Sequence, residues 1–185
     1  MVMDRYKHCR WIAGNKVFRS NVGVQSHEKT IFISETVADK NIPQERMDRD
    51  NVYYISCKYF DDSSLHDLLC YINDNDVRSL TAMASLLDRL AQYVREGKAP
   101  ALKQPLLGVF SVSETLKETA RETMSEYFGC PIYVLYANEE NGVLAVEDGS
   151  EHGCRANTAD FFFEVLKLDS DEPVEDGETG RLVIT

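Results

Sequence analysis

The chain of 185 residues has no C-x-x-C pair, and its five cysteines (Cys9, Cys57, Cys70, Cys130, Cys154) are odd in number and widely spaced. That excludes a secreted disulfide framework and suits a reducing compartment, so a cytoplasmic location is expected. Basic residues are scarce: 20 Lys and Arg stand against 31 Asp and Glu, a formal charge of -11. Nucleic-acid binding through phosphates needs the opposite balance, so no nucleic-acid partner is expected. No apolar run approaches the roughly 18 residues of a membrane span. The amino-terminal basic residues are not followed by the apolar stretch of a signal peptide. A G-x-G-x-x-G loop is missing, which sets aside a dinucleotide-reading Rossmann unit. His152 and Cys154 are two apart with no second pair nearby, so no zinc site is expected.

What is present is an ordinary globular composition, with 43% hydrophobic and 10% aromatic residues. The length fits one domain or a large piece of one. Residues 1–50 carry the weakest pattern: Trp11, Ile12, Val17 and Phe18 fit a helix or an irregular entry segment. Residues 30–37 (TIFISETV) have strand character. Residues 38–50 are polar, contain Pro43 and read as a loop.

From residue 51 the pattern strengthens. NVYYISC (51–57) has strand length. Asp61, Asp62, Ser63 and Ser64 offer helix caps, and Leu65, Leu68, Leu69 and Ile72 follow at helical spacing. A second helix is predicted over 81–96, closed by Gly97 and Pro100. LLGVF (106–110) is an uninterrupted apolar run of the kind buried parallel strands show. Ser111 to Glu114 has capping-box spacing, with a helix predicted through Leu116, Ala120, Met124, Tyr127 and Phe128. Gly129 ends that helix, and IYVL (132–135) is the next strand. Strand, helix and strand in about 30 residues make a βαβ unit with parallel strands. VLAV (143–146), a turn at 147–150, FFFEVLKL (161–168), an exposed acidic connection (169–180) and RLVIT (181–185) give the tail a β-rich character. The expected fold is α/β: a mixed, largely parallel sheet flanked by helices, with a β-rich C-terminal part. The expected division is an entry segment (1–50), an α/β unit (51–142) and a β-rich extension (143–185). The sequence stops inside a predicted strand, so a piece of something longer is expected.

Open α/β sheets bind ligands beyond the carboxyl ends of their strands. The loop at Ser113 and Glu114 and the loop at Tyr136, Asn138, Glu139 and Glu140 should emerge there together. One reading has Tyr136 stacking on a purine, carboxylates holding Mg²⁺ against polyphosphate, and the helix start at Ser113 offering free N–H groups. The other has Tyr136 in the core and the glutamates solvated.

The stretch VFSVSETLKETARETMSEYFGCPIYVLYANEENGVLA (109–145) resembles the central part of adenylate-forming enzymes, in the phenylacetate–coenzyme A ligase and CapK (capsule-biosynthesis) branch. The Ser-Glu element, F-G-C-P and Y-A-N-E-E-N-G (136–142) occur in the family's order. RANTAD and EPVEDGETGRLVIT resemble its downstream segments, and the likeness covers about 76–185. It implies ATP- and Mg²⁺-dependent activation of a small carboxylic acid to an acyl-adenylate, and transfer to a thiol such as coenzyme A. By the same resemblance Tyr136 stacks on adenine, with Ser113 and Glu114 bordering the base. Ala137, Asn138 and Glu139 lie along the nucleotide, and Glu140 ligates Mg²⁺ near the phosphates as the catalytic carboxylate.

Three departures stand out. No Ser/Thr/Gly-rich phosphate loop occurs in residues 1–100. The ribose-binding stretch and the small lysine-bearing domain would follow residue 185. Glu139 stands where Thr or Gln is usual, and a carboxylate beside an α-phosphate is repelled unless a metal or proton intervenes. The expectation is a central fragment holding half of a nucleotide site and inactive alone, missing its N- and C-terminal parts. The alternative is a non-enzymatic interaction or oligomerisation module of that descent, prone to self-association.

Overall fold

The computed structural model describes residues 5–34, 42–56, 61–138, 140–147 and 153–185. Nine strands and five helices are assigned among them: α1 (Arg5–Asn21), β1 (Thr30–Ser34), α2 (Gln44–Asp50), β2 (Val52–Ser56), α3 (Asp62–Asp74), β3 (Ser79–Met83), α4 (Ala84–Arg95), β4 (Gly108–Val112), α5 (Glu118–Phe128), β5 (Ile132–Asn138), β6 (Gly142–Glu147), β7 (Cys154–Ala156), β8 (Phe163–Leu166) and β9 (Arg181–Ile184). Seven strands form one sheet in the order β2-β1-β3-β4-β5-β6-β7, and β8 pairs with β9 apart from it. The first five strands in that order are parallel, and β6 and β7 add on antiparallel. The molecule is therefore α/β with a mostly parallel sheet, as the strand–helix alternation in the sequence predicts.

Successive side chains of a strand point to opposite faces, and this builds two cores. On one face Ile31, Ile33, Leu80, Ala82, Val109 and Ile132 pack under α3, α4 and α5. On the other, Phe110, Leu135, Val143 and Val146 meet Phe18 and Val24 from α1 and the turn after it. α4 is the most deeply seated helix: Leu86, Leu87, Leu90, Ala91 and Tyr93 are all buried. Each such leucine contributes about 1.5–3 kcal/mol.

Several local expectations change. The second predicted helix absorbed a strand: Ser79–Met83 is β3, and α4 starts only at Ala84. The run S-L-T-A-M contains helix-compatible residues, but its first four are buried between β1 and β4, so tertiary pairing overrides propensity. The polar stretch read as a loop contains α2, with Pro43 as its N-cap. The capping box is a correction too. Ser111 and Val112 belong to β4, the following helix begins at Glu118, and Ser113 is not a helix start. The end of the predicted 30–37 strand, Cys57 and the turn at 148–150 lie outside the described residues.

Candidate functional site

The βαβ unit 108–138 sets the geometry. β4 and β5 are parallel neighbours, with Ser111 opposite Val134. Two residues further along each strand stand Ser113 and Tyr136, so both loops open on the carboxyl edge of the sheet. Tyr136 is 52% exposed. The reading that buries its ring in the core therefore fails. Ser113, Glu114, Ala137, Asn138 and Glu140 are exposed along the same rim, while Glu139 lies outside the described residues.

Each loop has a physical reason for its shape. Ser113 has φ 71°, a left-handed conformation that costs a side-chain-bearing residue about 1 kcal/mol or more. It turns the chain sharply off β4 and aims Glu114 sideways. The Glu114 carboxylate accepts the backbone N–H of Ser85 at 2.8 Å. It thus caps α4, whose own N-cap residue Met83 supplies no side-chain bond. This bond to Ser85 holds the Glu114 carboxyl below the usual glutamate range. Lys117, the N-cap residue of α5, reaches back to Asp88 of α4. The two bonds tie the β4–α5 loop to the first turns of α4.

Within the Y-A-N-E-E-N-G motif, β5 ends at Asn138 and the antiparallel β6 begins at Gly142. A register shift falls between Tyr136 and Ala137, and Asn138 pairs with Gly142. The Asn141 N–H donates to Asn138 Oδ1 at 2.7 Å, so the asparagine side chain links the two strand ends. Gly142 has φ 85°, and the Trp11 ring of α1 lies where a Cβ would stand. Behind these strands, Arg121 of α5 donates to both oxygens of Glu147 at 2.8 and 3.0 Å and to the Ile132 carbonyl at 2.6 Å. One residue thereby locks α5, β5 and β6 together. A cleft of about 320 Å³, lined in part by Trp11, Asn141, Val143 and Asn157, lies beside the motif. Asn157, from the N-T-A segment, is buried and donates to the Val143 carbonyl at 3.0 Å.

The sequence missed Ser85, Trp11 and Arg121 as supports of this rim. The alternation of strands and helices leaves room for a strand between α3 and α4, and so for Ser85 just past its exit, but the local pattern at 79–83 does not mark it. Nothing in the local pattern points to Trp11 or Arg121. Cys130 is a small buried residue at the entry to β5, and burial pushes its thiol up to about 11, which suits packing and not nucleophilic attack. Among the described residues, no group of three or more His, Cys, Asp or Glu could hold a metal ion by itself. No helix among them is long and apolar enough to cross a membrane.

The fold has counterparts in solved structures. No protein-family model matches the sequence, and no curated protein matches it significantly. In the crystal structure of an open conformation of 2-hydroxyisobutyryl-CoA ligase with 2-HIB-AMP and CoA, 40% of that chain matches 95% of this one, at TM-score 0.66 and 15% identity. Apo MatB from Rhodopseudomonas palustris gives TM-score 0.59 at 14% identity, with 95% of this chain and 35% of that one covered. A long-chain-fatty-acid-CoA ligase from Archaeoglobus fulgidus gives 0.63 at 13%, with 95% and 37% covered. This chain has the fold of part of an acyl-CoA ligase. It spans about two fifths of the length of these structures.

Proposed function

We propose that the chain is the central part of an ATP-dependent, carboxylic acid–activating ligase of the CapK and phenylacetate–coenzyme A ligase type. One observation carries the proposal: parallel β4 and β5 bring the Ser113–Glu114 turn and the exposed Tyr136 to one rim, in a fold shared with acyl-CoA ligases. Tyr136 offers an open phenol face on which adenine stacks. Ser113 and Glu114 border the base from the neighbouring loop, with Glu114 held rigid by Ser85. Ala137, Asn138 and Glu139 run along the α-phosphate. Glu140, exposed beside them, is the ligand for Mg²⁺.

The fit to Mg²⁺ is reasonable on donor chemistry. That ion usually takes one or two protein carboxylates and completes its shell with water and phosphate oxygens, so a three-ligand protein cluster is not needed. When bound, the ion would neutralise phosphate charge as the substrate carboxylate approaches. Catalysis on this reading is electrostatic and positional, with no covalent nucleophile from the chain. Coenzyme A or another thiol is the acceptor.

Titration with AMP and with ATP–Mg²⁺, followed by amide NMR, tests this. Perturbations should centre on residues 113–114 and 136–138. Tyr136→Ala should weaken binding about tenfold, the scale of a lost base stack. Perturbations elsewhere, or an unchanged affinity, would remove the basis of the proposal. We expect no acid-dependent pyrophosphate release from this chain alone, and observing it would show the site to be complete.

A second reading is a non-enzymatic interaction module of the same descent. It is favoured by apolar residues left open on the β8–β9 hairpin: Phe162 is 65% exposed, Leu168 72%, Val165 43% and Leu182 47%.

A further inference from the structure

Strand β6 carries an irregularity. Val143 and Val146 both pack into the α1-side core with Phe18 and Leu135. They are three residues apart, and a regular strand puts such residues on opposite faces. The register resolves the conflict. Leu135 lies opposite Val146 and Tyr136 opposite Ala145, but Ala137 lies opposite Val143 and Asn138 opposite Gly142. Among the described residues Leu144 has no partner on β5, so it is the extra residue of a β-bulge. The bulge falls level with the step from Tyr136 to Ala137, inside the Y-A-N-E-E-N-G motif.

A bulge takes backbone groups out of the ladder, and buried ones must find other partners. Leu144 is 1% exposed. Its carbonyl accepts the backbone N–H of Asn157 at 2.7 Å. The adjacent carbonyl, that of Val143, accepts from Nδ2 of the same residue at 3.0 Å. Nδ2 also donates to Asp160 Oδ2 at 3.0 Å, and Asp160 is held in turn by Arg10 of α1, whose Nε donates to Oδ1 at 2.7 Å. The orientation of the amide is forced, since turning it over would set its oxygen against a carbonyl and a carboxylate. Asn157 is the one buried side-chain amide among the described residues. Burying such a group is costly unless its donors are used, and here all three N–H donors of the residue are engaged.

We propose that Asn157 is the positioning residue of the 136–142 motif. By clamping the carbonyls of Val143 and Leu144 it holds the bulge, and the bulge fixes how Ala137 and Asn138 sit relative to Tyr136. Without the clamp the two strands should run flush, with Ala137 opposite Leu144 and Asn138 opposite Val143. Val143 would then turn out of the α1-side core. Tyr136 keeps Ala145 as its neighbour in either register, so the base end of the site stays in place while the phosphate end shifts. The naming of those two ends rests on the function proposed above; the hold of Asn157 on the register does not.

The test compares the unaltered chain with Asn157→Leu, which is similar in size and has no side-chain donor. In the unaltered chain, cross-strand nuclear Overhauser contacts should link Ala137 to Val143, and the Asn157 side-chain amide protons should exchange slowly with water. Fast exchange, or Ala137 facing Leu144, would overturn the proposal without any variant having to fold. In Asn157→Leu the Ala137 contacts should pass to Leu144. AMP should then bind about fivefold more weakly, the scale of one lost hydrogen bond, while adenosine, which reports the base end alone, keeps its affinity. An unchanged register, or equal losses for AMP and adenosine, would reduce Asn157 to a packing residue and overturn the proposal. Failure of the unaltered chain to bind either nucleotide would instead remove the ligase reading, and the Ala137 contacts would still decide what Asn157 does.

Discussion

Glu114 shows how one side chain serves two elements at the rim. Its bond to the Ser85 N–H satisfies a helix-end donor across 29 residues of sequence. Glu114→Ala should destabilise the fold by about 0.5–1 kcal/mol, the lower part of the capping range because the group is exposed. The carboxyl titrates lower in the fold than in the unfolded chain. Its contribution is therefore complete above the ordinary glutamate value and is lost as pH falls through the depressed one. Denaturant melts of the two proteins at neutral and acid pH should differ at neutral pH and converge in acid. A pH-independent gap would show that the carboxylate charge has no part in it. Ser113, one residue earlier, carries the left-handed turn. Ser113→Gly should leave stability within about 1 kcal/mol, since relief of strain offsets glycine's entropy, while Ser113→Val should lose about 1–2 kcal/mol. Equal melting midpoints for the two variants would mean that φ at this position is not what limits the loop.

At the scale of elements, what was readable follows from whether the defining contacts are local. The strands at 52–56, 132–138, 142–147, 163–166 and 181–184 stand out as apolar or β-prone runs, and α3 and α5 as one-sided periodicities. Residues 79–83 did not stand out, because Ser79, Thr81, Ala82 and Met83 acquire strand geometry only by lying between β1 and β4. The capping-box pattern at 111–114 misleads for the same reason. Its Ser is still in the sheet, and its Glu caps a helix that precedes it in sequence. The rim itself was legible, since two adjacent parallel strands must release their loops on one edge. Its supports were not, because Trp11 reaches Gly142 across more than a hundred residues. That contact makes a sharp prediction. Gly142→Ala meets the Trp11 ring and an unfavourable positive φ together, and should cost more than about 2 kcal/mol. Trp11 emission should shift as α1 is pushed off β6. An unperturbed emission spectrum in a folded variant would mean that the ring does not rest on this glycine.

Over the whole molecule, the main sheet and the β8–β9 hairpin are unequally protected. The central strands β3 and β4 are buried on both faces, whereas a two-stranded ribbon is marginal in water unless something covers it. Val165 and Leu182 face each other across the hairpin and both are exposed. The chain's charge of -11 opposes contact between copies, and salt screens that repulsion. If the interaction-module reading holds, the mass from light scattering rises with protein concentration and rises further with added salt. Val165→Glu combined with Leu182→Lys keeps the hairpin through an opposite-charge cross-strand pair while removing the apolar patch. That double variant should hold a constant mass at every salt concentration while melting at nearly the same temperature. A mass that stays at 21.0 kDa in the unaltered chain at high salt would count against self-association through this surface. On the proposed ligase reading the hairpin would then be a face for another segment of the same protein, which a covalently longer protein should bury and a cross-linking experiment should capture at Leu182.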